Sequence, residues 1–479
     1  MTTVGRCLGV ALVTALVWSP ADAQEIRAVV GGTVIDGNGG AALAGGVILV
    51  AGDRLACVGT AEECPVPDGA LVTDARGRFI TPGLVDAHVH FSQTGWLDGR
   101  PDGLTAPEVF PYLETARRNR DDPERWQRSY LCSGITAVFD VGGHPWTTTL
   151  PDLFEEDPHG AHVRAAGPLV TFARVPALQA DDELYTFLPM SSDQEALESV
   201  SRVAAMGSTA LKVWYLRVPE AERAAMDRRL ARIGEAARDA GLDLIVHATG
   251  LREAKAALRA GAALLVHSVE DELVDDEFLS LARQNGTVYA PTLVVGENWA
   301  RAMISVVLDT PQQLDDPNGC VDPTTVALTR NTGELQAFLP ERNRGNVEYA
   351  LQRMQRVGRT QAVMAENLRR VHAAGITVAT ATDAGNPLTL HGPSIRNEME
   401  AMQAAGIPAG DIVVMSTRNG ARAMERDADF GTLEAGKLAD LLILAEDPTA
   451  DVRAFRSLTH VIRAGVLHEQ RSLAYRPVS

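Results

Sequence analysis

Residues 81–91, with the sequence TPGLVDAHVHF, are the most informative part of this chain. They join an apolar, β-prone run to two histidines, His88 and His90, that lie two residues apart. Side chains two apart in a strand point to the same side, so both imidazoles can bind one metal ion from a rigid element. A His-x-His pair alone is weak evidence, and the prediction of a metal site therefore depends on further ligands elsewhere.

Apolar strands alternate with helical stretches from about residue 80 to 425. The predicted strands end at His88, near Val141, near Thr171, near Trp214, at His247, at His267, near Leu293 and at Asp383. The predicted helices between them include residues 220–240, 252–260 and 346–374. This alternation predicts an α/β fold with a parallel (β/α)8 TIM barrel over residues 80–426. An open, doubly wound sheet is disfavoured because no Gly-x-Gly-x-x-Gly follows the first strand.

The two ends of the chain share a different pattern. Short strands with turns fill residues 24–79, and the same pattern returns in residues 427–479. Two such segments on either side of a barrel predict one small β-sandwich domain that is built from both chain ends. Residues 294–345 are long and irregular and follow the seventh predicted strand, which predicts a lid over the active site.

Residues 1–23 have the features of a cleavable secretory signal peptide. Arg6 precedes an apolar run over residues 8–18, and a small-x-small cleavage site precedes Gln24. This interpretation predicts a secreted or periplasmic protein, and a buried N-terminal helix is the alternative. The apolar run is too short to span a bilayer, and no other stretch approaches the required length, so we expect no membrane anchor.

The 479-residue chain has the composition of a globular protein but an acidic balance, with a formal net charge of −18. This charge disfavours nucleic acid and anionic membranes as partners. A small-molecule substrate is the expected partner, and the sequence leaves homo-oligomerisation open. Cys57 and Cys64 flank a turn-like segment, and in an oxidising compartment they either form a disulfide or remain two buried thiols.

Five predicted strands end in polar side chains that can bind a metal ion. These side chains are His88 and His90 on the first strand, Lys212 on the fourth, His247 on the fifth, His267 on the sixth and Asp383 on the eighth. Each follows an apolar run, so each is expected at the C-terminal mouth of the barrel. Lys212 lies between apolar neighbours, which favours an uncharged or chemically modified lysine over a free ammonium. Their joint occurrence predicts a metal site.

These motifs resemble the amidohydrolase superfamily, in particular its imidazolonepropionase-like and prolidase-like metal-dependent hydrolases. The resemblance covers about residues 27–468. The motifs that carry it are residues 82–90 (PGLVDAHVH), 211–213 (LKV), 246–248 (VHA), 266–268 (VHS), 382–385 (TDAG) and 431–444 (GTLEAGKLADLLIL).

The resemblance implies a binuclear metal site, with two Zn²⁺ or other divalent ions. His88, His90 and Asp383 would bind the more buried ion, and His247 and His267 the second. Lys212 would carry a carbamate derived from CO2 that bridges both ions. A hydroxide that bridges the metals would attack an amide or peptide-type C–N bond, and Asp383 would pass its proton to the leaving group.

Substrate contacts are predicted less directly. His144, Arg174 and Tyr215 follow the second, third and fourth strands and are candidates for the catalytic mouth. Tyr215 would hydrogen-bond the substrate carbonyl, and Arg174 would hold a substrate carboxylate. The residues around Phe172 and Trp214 are bulkier than the glycines common in the family, so the specificity of a prolidase does not transfer simply.

The sequence supports an exported amidohydrolase that acts on dipeptides or N-acyl amino acids. The alternatives are a lactone, ester or phosphotriester hydrolase on the same binuclear site, a mononuclear deaminase, and a metal- or ligand-binding protein without catalysis. The intact set of predicted ligands argues against the last alternative.

Overall fold

The computed structural model describes residues 25–475, and the predicted signal peptide lies outside this range. The strands of this range are β1 Ile26–Val34, β2 Leu43–Ala51, β3 Arg54–Gly59, β4 Leu71–Asp74, β5 Phe79–Pro82, β6 Leu84–Val89, β7 Ile135–Asp140, β8 His162–Ala165, β9 Leu169–Thr171, β10 Phe187–Pro189, β11 Ala210–Trp214, β12 Asp243–His247, β13 Leu264–Val266, β14 Val288–Ala290, β15 Leu441–Leu444, β16 Leu458–Arg463 and β17 Val466–Glu469.

The α-helices of the same range lie mainly between the strands of the central region. They are α1 Tyr112–Asp121, α2 Glu124–Cys132, α3 Leu150–Phe154, α4 Asp193–Ala205, α5 Glu220–Asp239, α6 Leu251–Arg259, α7 Asp276–Asn285, α8 Val295–Leu308, α9 Pro323–Leu328, α10 Gly333–Gln336, α11 Val347–Ala373, α12 Ser394–Ala404, α13 Ala409–Met415, α14 Arg418–Ala423 and α15 Gln470–Leu473. Among the described residues, none of these helices combines the length and apolar character that a membrane span requires.

Strands from both chain ends form one eight-stranded sheet. Its order is β17-β16-β15-β5-β1-β2-β3, and β4 pairs with β1. The two ends meet at β5, which runs parallel to β1 and antiparallel to β15. Aliphatic side chains such as Val29, Ile80 and Ile443 are buried against one another within this sheet. The second sheet of a sandwich stays a prediction.

The end sheet also fixes where the first strand of the central region begins. Only Gly83 separates β5 from β6, and its N–H donates to the Asp440 carbonyl at 3.0 Å. A Cβ at this position would lie 2.0 Å from Thr136 Oγ1, so a larger residue would push β6 away from β7. This close approach sets the position of His88 and His90 relative to the neighbouring strands.

The central region contains two parallel arrays, β6-β7-β8 and β10-β9-β11-β12-β13-β14. Residues 378–384 lie between the ends of the two arrays, with parallel bridges from Val378 to Tyr289 and from Ala384 to Val89. The first six predicted strand ends lie within one residue of observed ones, the seventh lies three residues beyond the end of β14 at Ala290, and the eighth predicted strand is a segment with isolated bridges. Helices α5, α6 and α11 begin and end within one residue of the predicted bounds.

The segment predicted as an irregular lid has a different structure. Its first part is the 14-residue helix α8, and the rest contains α9 and α10. Side chains of α8 and α10, such as Val306 and Leu335, pack with Trp96 and Phe110 in a separate apolar cluster. Among the described residues, the wall of the cavity that contains His88 and Asp383 includes residues of α8 and none of residues 309–345, and the lid over 294–345 stays a prediction.

Two disulfides are present. Cys57–Cys64 closes a short loop between sequence neighbours, so the disulfide alternative of the sequence analysis is confirmed. Cys132–Cys320 joins the end of α2 to the segment before α9, across a sequence separation of 188 residues. The sequence offered no signal for this second pairing, because the two cysteines lie far apart in the chain.

Removal of the Cys132–Cys320 disulfide is expected to cost more stability than removal of Cys57–Cys64. The two bonds close loops of 188 and 7 residues. The entropy that each bond removes from the unfolded chain corresponds to about 5 and about 2 kcal/mol, respectively. The variants C132A/C320A and C57A/C64A should therefore both lower the thermal unfolding midpoint in the absence of reductant, the first by more. Equal shifts would contradict this expectation.

Candidate metal centre

The tightest cluster of metal-competent side chains consists of His88, His90 and Asp383. His88 Nε2 lies 3.2 Å and His90 Nε2 lies 2.9 Å from Asp383 Oδ1. The two imidazole nitrogens are 3.2 Å apart. All three side chains are buried, and their ligand atoms lie within 4.8 Å of one another. They come from the end of β6 and from residues 378–384, which the parallel bridge at Val89 holds together.

This cluster fits a cation. Asp383 Oδ1 is buried, and no donor in the described part of the chain reaches it in good hydrogen-bond geometry. A buried carboxylate oxygen without a donor is costly unless a cation compensates it. Two imidazole nitrogens and one carboxylate oxygen that converge on one point are a donor set that Zn²⁺ accepts.

The other three predicted ligands lie on the wall of the same cavity. His267 Nε2 is 4.0 Å from Asp383 Oδ2, and its ring centroid is 4.3 Å from that of His247 and 5.1 Å from that of His88. Lys212 is fully buried in the middle of β11. The structure therefore brings all six side chains together, while their assignment as ligands remains a prediction.

The surroundings of these groups favour the protonation states that metal binding requires. Burial lowers the pKa of both His88 and His247 to about 3 and holds that of His267 well below its usual range. Burial would raise the pKa of Asp383, but the adjacent His88 and His90 imidazoles hold it well below its usual range. His88, His247 and His267 are thus neutral and Asp383 is a carboxylate, the forms in which these side chains bind metals.

Lys212 differs from the other lysines of the chain in its environment. Burial lowers its pKa to about 7, although the negative charges of Asp383 and Asp140 oppose this effect. Near neutral pH a substantial fraction of this amine is therefore uncharged. A neutral, desolvated amine is the form that can add CO2.

Polar groups behind the cluster fix the orientation of the imidazoles. His90 Nδ1 donates to the Gly142 carbonyl, and His267 Nδ1 lies 2.7 Å from Thr292 Oγ1. Asp140 accepts hydrogen bonds from the N–H groups of Gly142 and Phe91, at 3.0 and 3.1 Å, and so holds the loop that carries this carbonyl. Such outer partners set which ring nitrogen faces the metal.

Asp86 ties the two halves of the three-residue cluster to each other. Asp86 accepts hydrogen bonds from Thr382 Oγ1 at 2.6 Å and from the Thr382 N–H at 3.0 Å. Asp86 lies two residues before His88, and Thr382 lies one residue before Asp383. The Asp383 N–H then donates to the His88 carbonyl at 2.8 Å. Burial raises the pKa of Asp86 to about 7. The sequence analysis did not single out this residue, although it lies inside the opening motif.

Two of the six metal-competent residues have left-handed backbone conformations. His267 has φ of 73° and Asp383 has φ of 64°, values that residues other than glycine rarely adopt. Each such residue costs about 1 kcal/mol or more, and the surrounding structure must enforce it. His267 directly follows the Val266–Ala290 pair and Asp383 directly precedes the Ala384–Val89 bridge, and both side chains line the cavity.

The cavity above the cluster has a volume of about 470 Å³. Its walls are largely apolar, with Leu178, Phe187, Trp214 and Leu293 between the cluster and the mouth. The mouth lies between α8 and α11. The cavity is large enough for a small organic substrate, and its apolar walls exclude water from much of that substrate.

Tyr215 does not occupy the predicted position in this cavity. Its hydroxyl donates to Asp227 Oδ1 at 2.5 Å, on helix α5, and it is not part of the cavity wall. The reason is the two-residue period of the strand, since Lys212 and Trp214 face the cavity and Tyr215 then faces the surrounding helices. The predicted contact of Tyr215 with a substrate carbonyl is therefore wrong.

The predicted contacts of Arg174 and His144 are also not supported by their positions. Arg174 is exposed and lies outside the cavity wall. His144 is fully buried outside that wall, neither ring nitrogen has a hydrogen-bond partner among the described residues, and burial lowers its pKa to about 4. The loops after the second and third strands turn these side chains away, which the order of residues alone could not reveal.

The structure instead adds residues that the sequence analysis missed. Arg100 lies over the Trp299 ring at 4.9 Å and hydrogen-bonds Asn386, which also accepts from Trp299 Nε1 at 3.1 Å. Asp102 pairs with the same guanidinium at 2.7 and 2.9 Å. These residues come from three distant parts of the chain and form one side of the cavity. The sequence analysis singled out none of them, because no local pattern shows that these distant segments meet.

Comparison with known proteins agrees with this architecture. A model of the Amidohydrolase family matches residues 79–467. A 5-methylthioadenosine/S-adenosylhomocysteine deaminase of Moorella thermoacetica is 27% identical over 408 residues, which are 83% of this chain and 81% of the relative. An imidazolonepropionase of Chromobacterium violaceum is 27% identical over 389 residues, 78% of each chain. The crystal structure of a Xaa-Pro dipeptidase with bound methionine has a TM-score of 0.68 and 21% identity, and covers 93% of this chain and 100% of that chain.

The fold is thus of the TIM-barrel type, with its polar cluster at the carboxyl ends of the parallel strands. The chain belongs to the amidohydrolase family. It is an enzyme, a hydrolase that acts on carbon–nitrogen bonds.

Metal content should depend on the three-residue cluster. The variants H88N and D383N are expected to lose bound zinc, since each removes one of the donors that converge within 4.8 Å. H144N serves as the matched control, because it changes a histidine that is equally buried but lies outside the cavity wall. Elemental analysis of the purified variants measures the effect. Full zinc content in D383N, or an equal loss in H144N, would contradict the assignment.

Proposed function

We propose that this protein is an exported binuclear metal hydrolase that cleaves an amide or peptide-type C–N bond in dipeptides or N-acyl amino acids. The observation that carries this proposal is the placement of four histidines, one lysine and one aspartate on the wall of one cavity. A mononuclear site would require neither Lys212 nor both His247 and His267. Their joint burial at one end of the parallel strands supports two ions.

The residues divide into two ligand groups. His88, His90 and Asp383 would hold the first ion, and His247 and His267 the second. Lys212 would bridge both as a carbamate, which its fully buried position and lowered pKa support. A pair of zinc ions in these positions would supply an activated water and would polarise the substrate carbonyl.

The protein groups then perform the proton transfers. Asp383, which is ionised at neutral pH, accepts the proton of the attacking water and delivers it to the nitrogen of the leaving group. Its left-handed backbone and the hydrogen bond from its N–H to His88 hold the carboxylate in place for both steps. The apolar walls exclude bulk water, which strengthens the electrostatic interactions inside the cavity.

The remaining structural predictions belong to the same proposal. The bridges at Val378 and Ala384 support closure of the parallel arrays into a (β/α)8 barrel, and the end sheet would form the small β-sandwich. The Cys57–Cys64 and Cys132–Cys320 disulfides support a secreted or periplasmic location, since such bonds persist in oxidising compartments.

The reaction class can be tested with a substrate panel. The zinc-loaded protein should hydrolyse members of a library of dipeptides and N-acyl amino acids, with amine release as the measurement. Lactones and phosphotriesters test the alternative bond types, and 5-methylthioadenosine tests deamination. Activity confined to these last compounds would refute the proposed reaction, and no turnover of any compound with both metals bound would support a binding protein instead.

The role of Lys212 can be tested by chemical rescue. K212A removes the bridging anion and should lower activity by more than about a hundredfold, the upper range for loss of a mere outer partner of a metal ligand. Added acetate or propionate should restore part of the activity and metal content, because a small carboxylate can replace the carbamate in the space left by the side chain.

K255A is the control for this experiment, because Lys255 forms ion pairs with Asp275 and Glu277 away from the cavity. It should keep its activity with or without propionate. A K212A variant that retains two metals and full activity without any carboxylate would exclude the carbamate.

A further inference from the structure

The cavity mouth contains two arginines that form no ion pair with any acidic group in the described part of the chain. Arg353 and Arg356 extend from α11 into the cavity wall. Across residues 25–475, neither forms an ion pair with a carboxylate, and Arg356 has no hydrogen bond either. The chain as a whole carries 62 acidic and 44 basic residues, so unpaired arginines at this position are not a consequence of composition.

Arg353 is only partly satisfied by its surroundings. One terminal nitrogen donates to Tyr349 Oη at 3.1 Å, one turn earlier on the same helix. Its Nε is buried and has no partner within the described chain. A buried guanidinium N–H without an acceptor is unfavourable, and a ligand anion would supply the acceptor.

The spacing of the two arginines suits a single anion. Residues 353, 356, 360 and 364 lie on one face of α11, since positions three and four apart are neighbours on a helix. Arg353 and Arg356 are at the outer end of this face, and Met364 is buried nearer the cluster. Glu270 and Glu297 also line this cavity and could oppose an anion, but Glu297 accepts from Gln361 at 2.7 Å, and neither glutamate pairs with Arg353 or Arg356.

We propose that Arg353 and Arg356 form a carboxylate-binding site that selects substrates with an apolar body and an anionic end. The scissile bond would lie at the metal cluster, the apolar body against Trp214, Phe187 and Trp299, and the carboxylate at the two guanidinium groups. This inference rests on the proposed function for the position of the scissile bond, but not for the binding of the anion. It assigns to α11 the role that the sequence analysis gave to Arg174.

Binding of a ligand without a scissile bond separates this inference from the proposed reaction. Isothermal titration calorimetry of the zinc-loaded protein would compare 3-phenylpropionate with its neutral analogue 3-phenylpropanamide. The acid should bind at least about tenfold more tightly than the amide, the effect of one charge-assisted hydrogen bond. R353M/R356M should remove this preference, while R353K/R356K, which keeps the charges but not the planar fork, should keep part of it.

Arg359 provides the matched control, since it is exposed on the same helix but outside the cavity wall. R359M should bind both compounds as the unmodified protein does. Equal affinity for acid and amide, or an unchanged preference in R353M/R356M, would overturn the proposal. The second result would place the carboxylate at the metals. Failure of the substrate panel with these binding results intact would refute the proposed reaction and leave the anion site standing.

Discussion

Desolvation of the polar cluster at the strand ends is the constraint on which the rest of this structure depends. Four imidazoles, an amine and a carboxylate lie together in a region where burial is the main cause that lowers the pKa of His88 and His247 to about 3 and that of Lys212 to about 7. Such a group of side chains is unfavourable in an empty apolar interior and favourable around cations. The remainder of the fold must therefore hold these side chains at one point against their tendency to separate or to contact water.

The structure meets this requirement by making neighbouring strands share hydrogen bonds through buried carboxylates. Asp86 joins the first strand to Thr382, and Asp140 joins the same strand to the loop at Gly142. The positive φ values of His267 and Asp383 are further evidence that the fold tolerates unfavourable backbone conformations in order to place these side chains, because an unconstrained chain would relax them. Each of these conformations costs about 1 kcal/mol or more, and the packing of the surrounding strands offsets this cost.

The sequence was sufficient for those features that follow from periodicity. The strand ends that carry His88, Lys212 and His267 are visible as apolar runs that stop at a polar residue, and parallel strands bring such ends to one edge. The same period of two could have excluded Tyr215, because it lies three positions after Lys212 and therefore on the opposite side of the strand from the cavity. The pairing of Cys132 with Cys320 and the approach of Arg353 to the cluster depend on how helices pack over long separations. No local pattern encodes those contacts.

In this enzyme the metal-competent side chains lie mainly at strand ends, whereas the residues proposed to select the substrate lie on helices. The strand ends carry the metal-competent side chains, whereas α8 and α11 line the mouth. The Gln361–Glu297 hydrogen bond joins these two helices, and the Gly345 N–H, just before α11, donates to the Val307 carbonyl of α8 at 2.7 Å. The connection between them is fastened to α2 by the Cys132–Cys320 disulfide. A mouth held in this way loses little conformational entropy when a substrate binds. The proposed discrimination by its arginines would therefore not require a mobile loop. The proposed selection would therefore rest on a helix pair whose connection is anchored by a covalent bond.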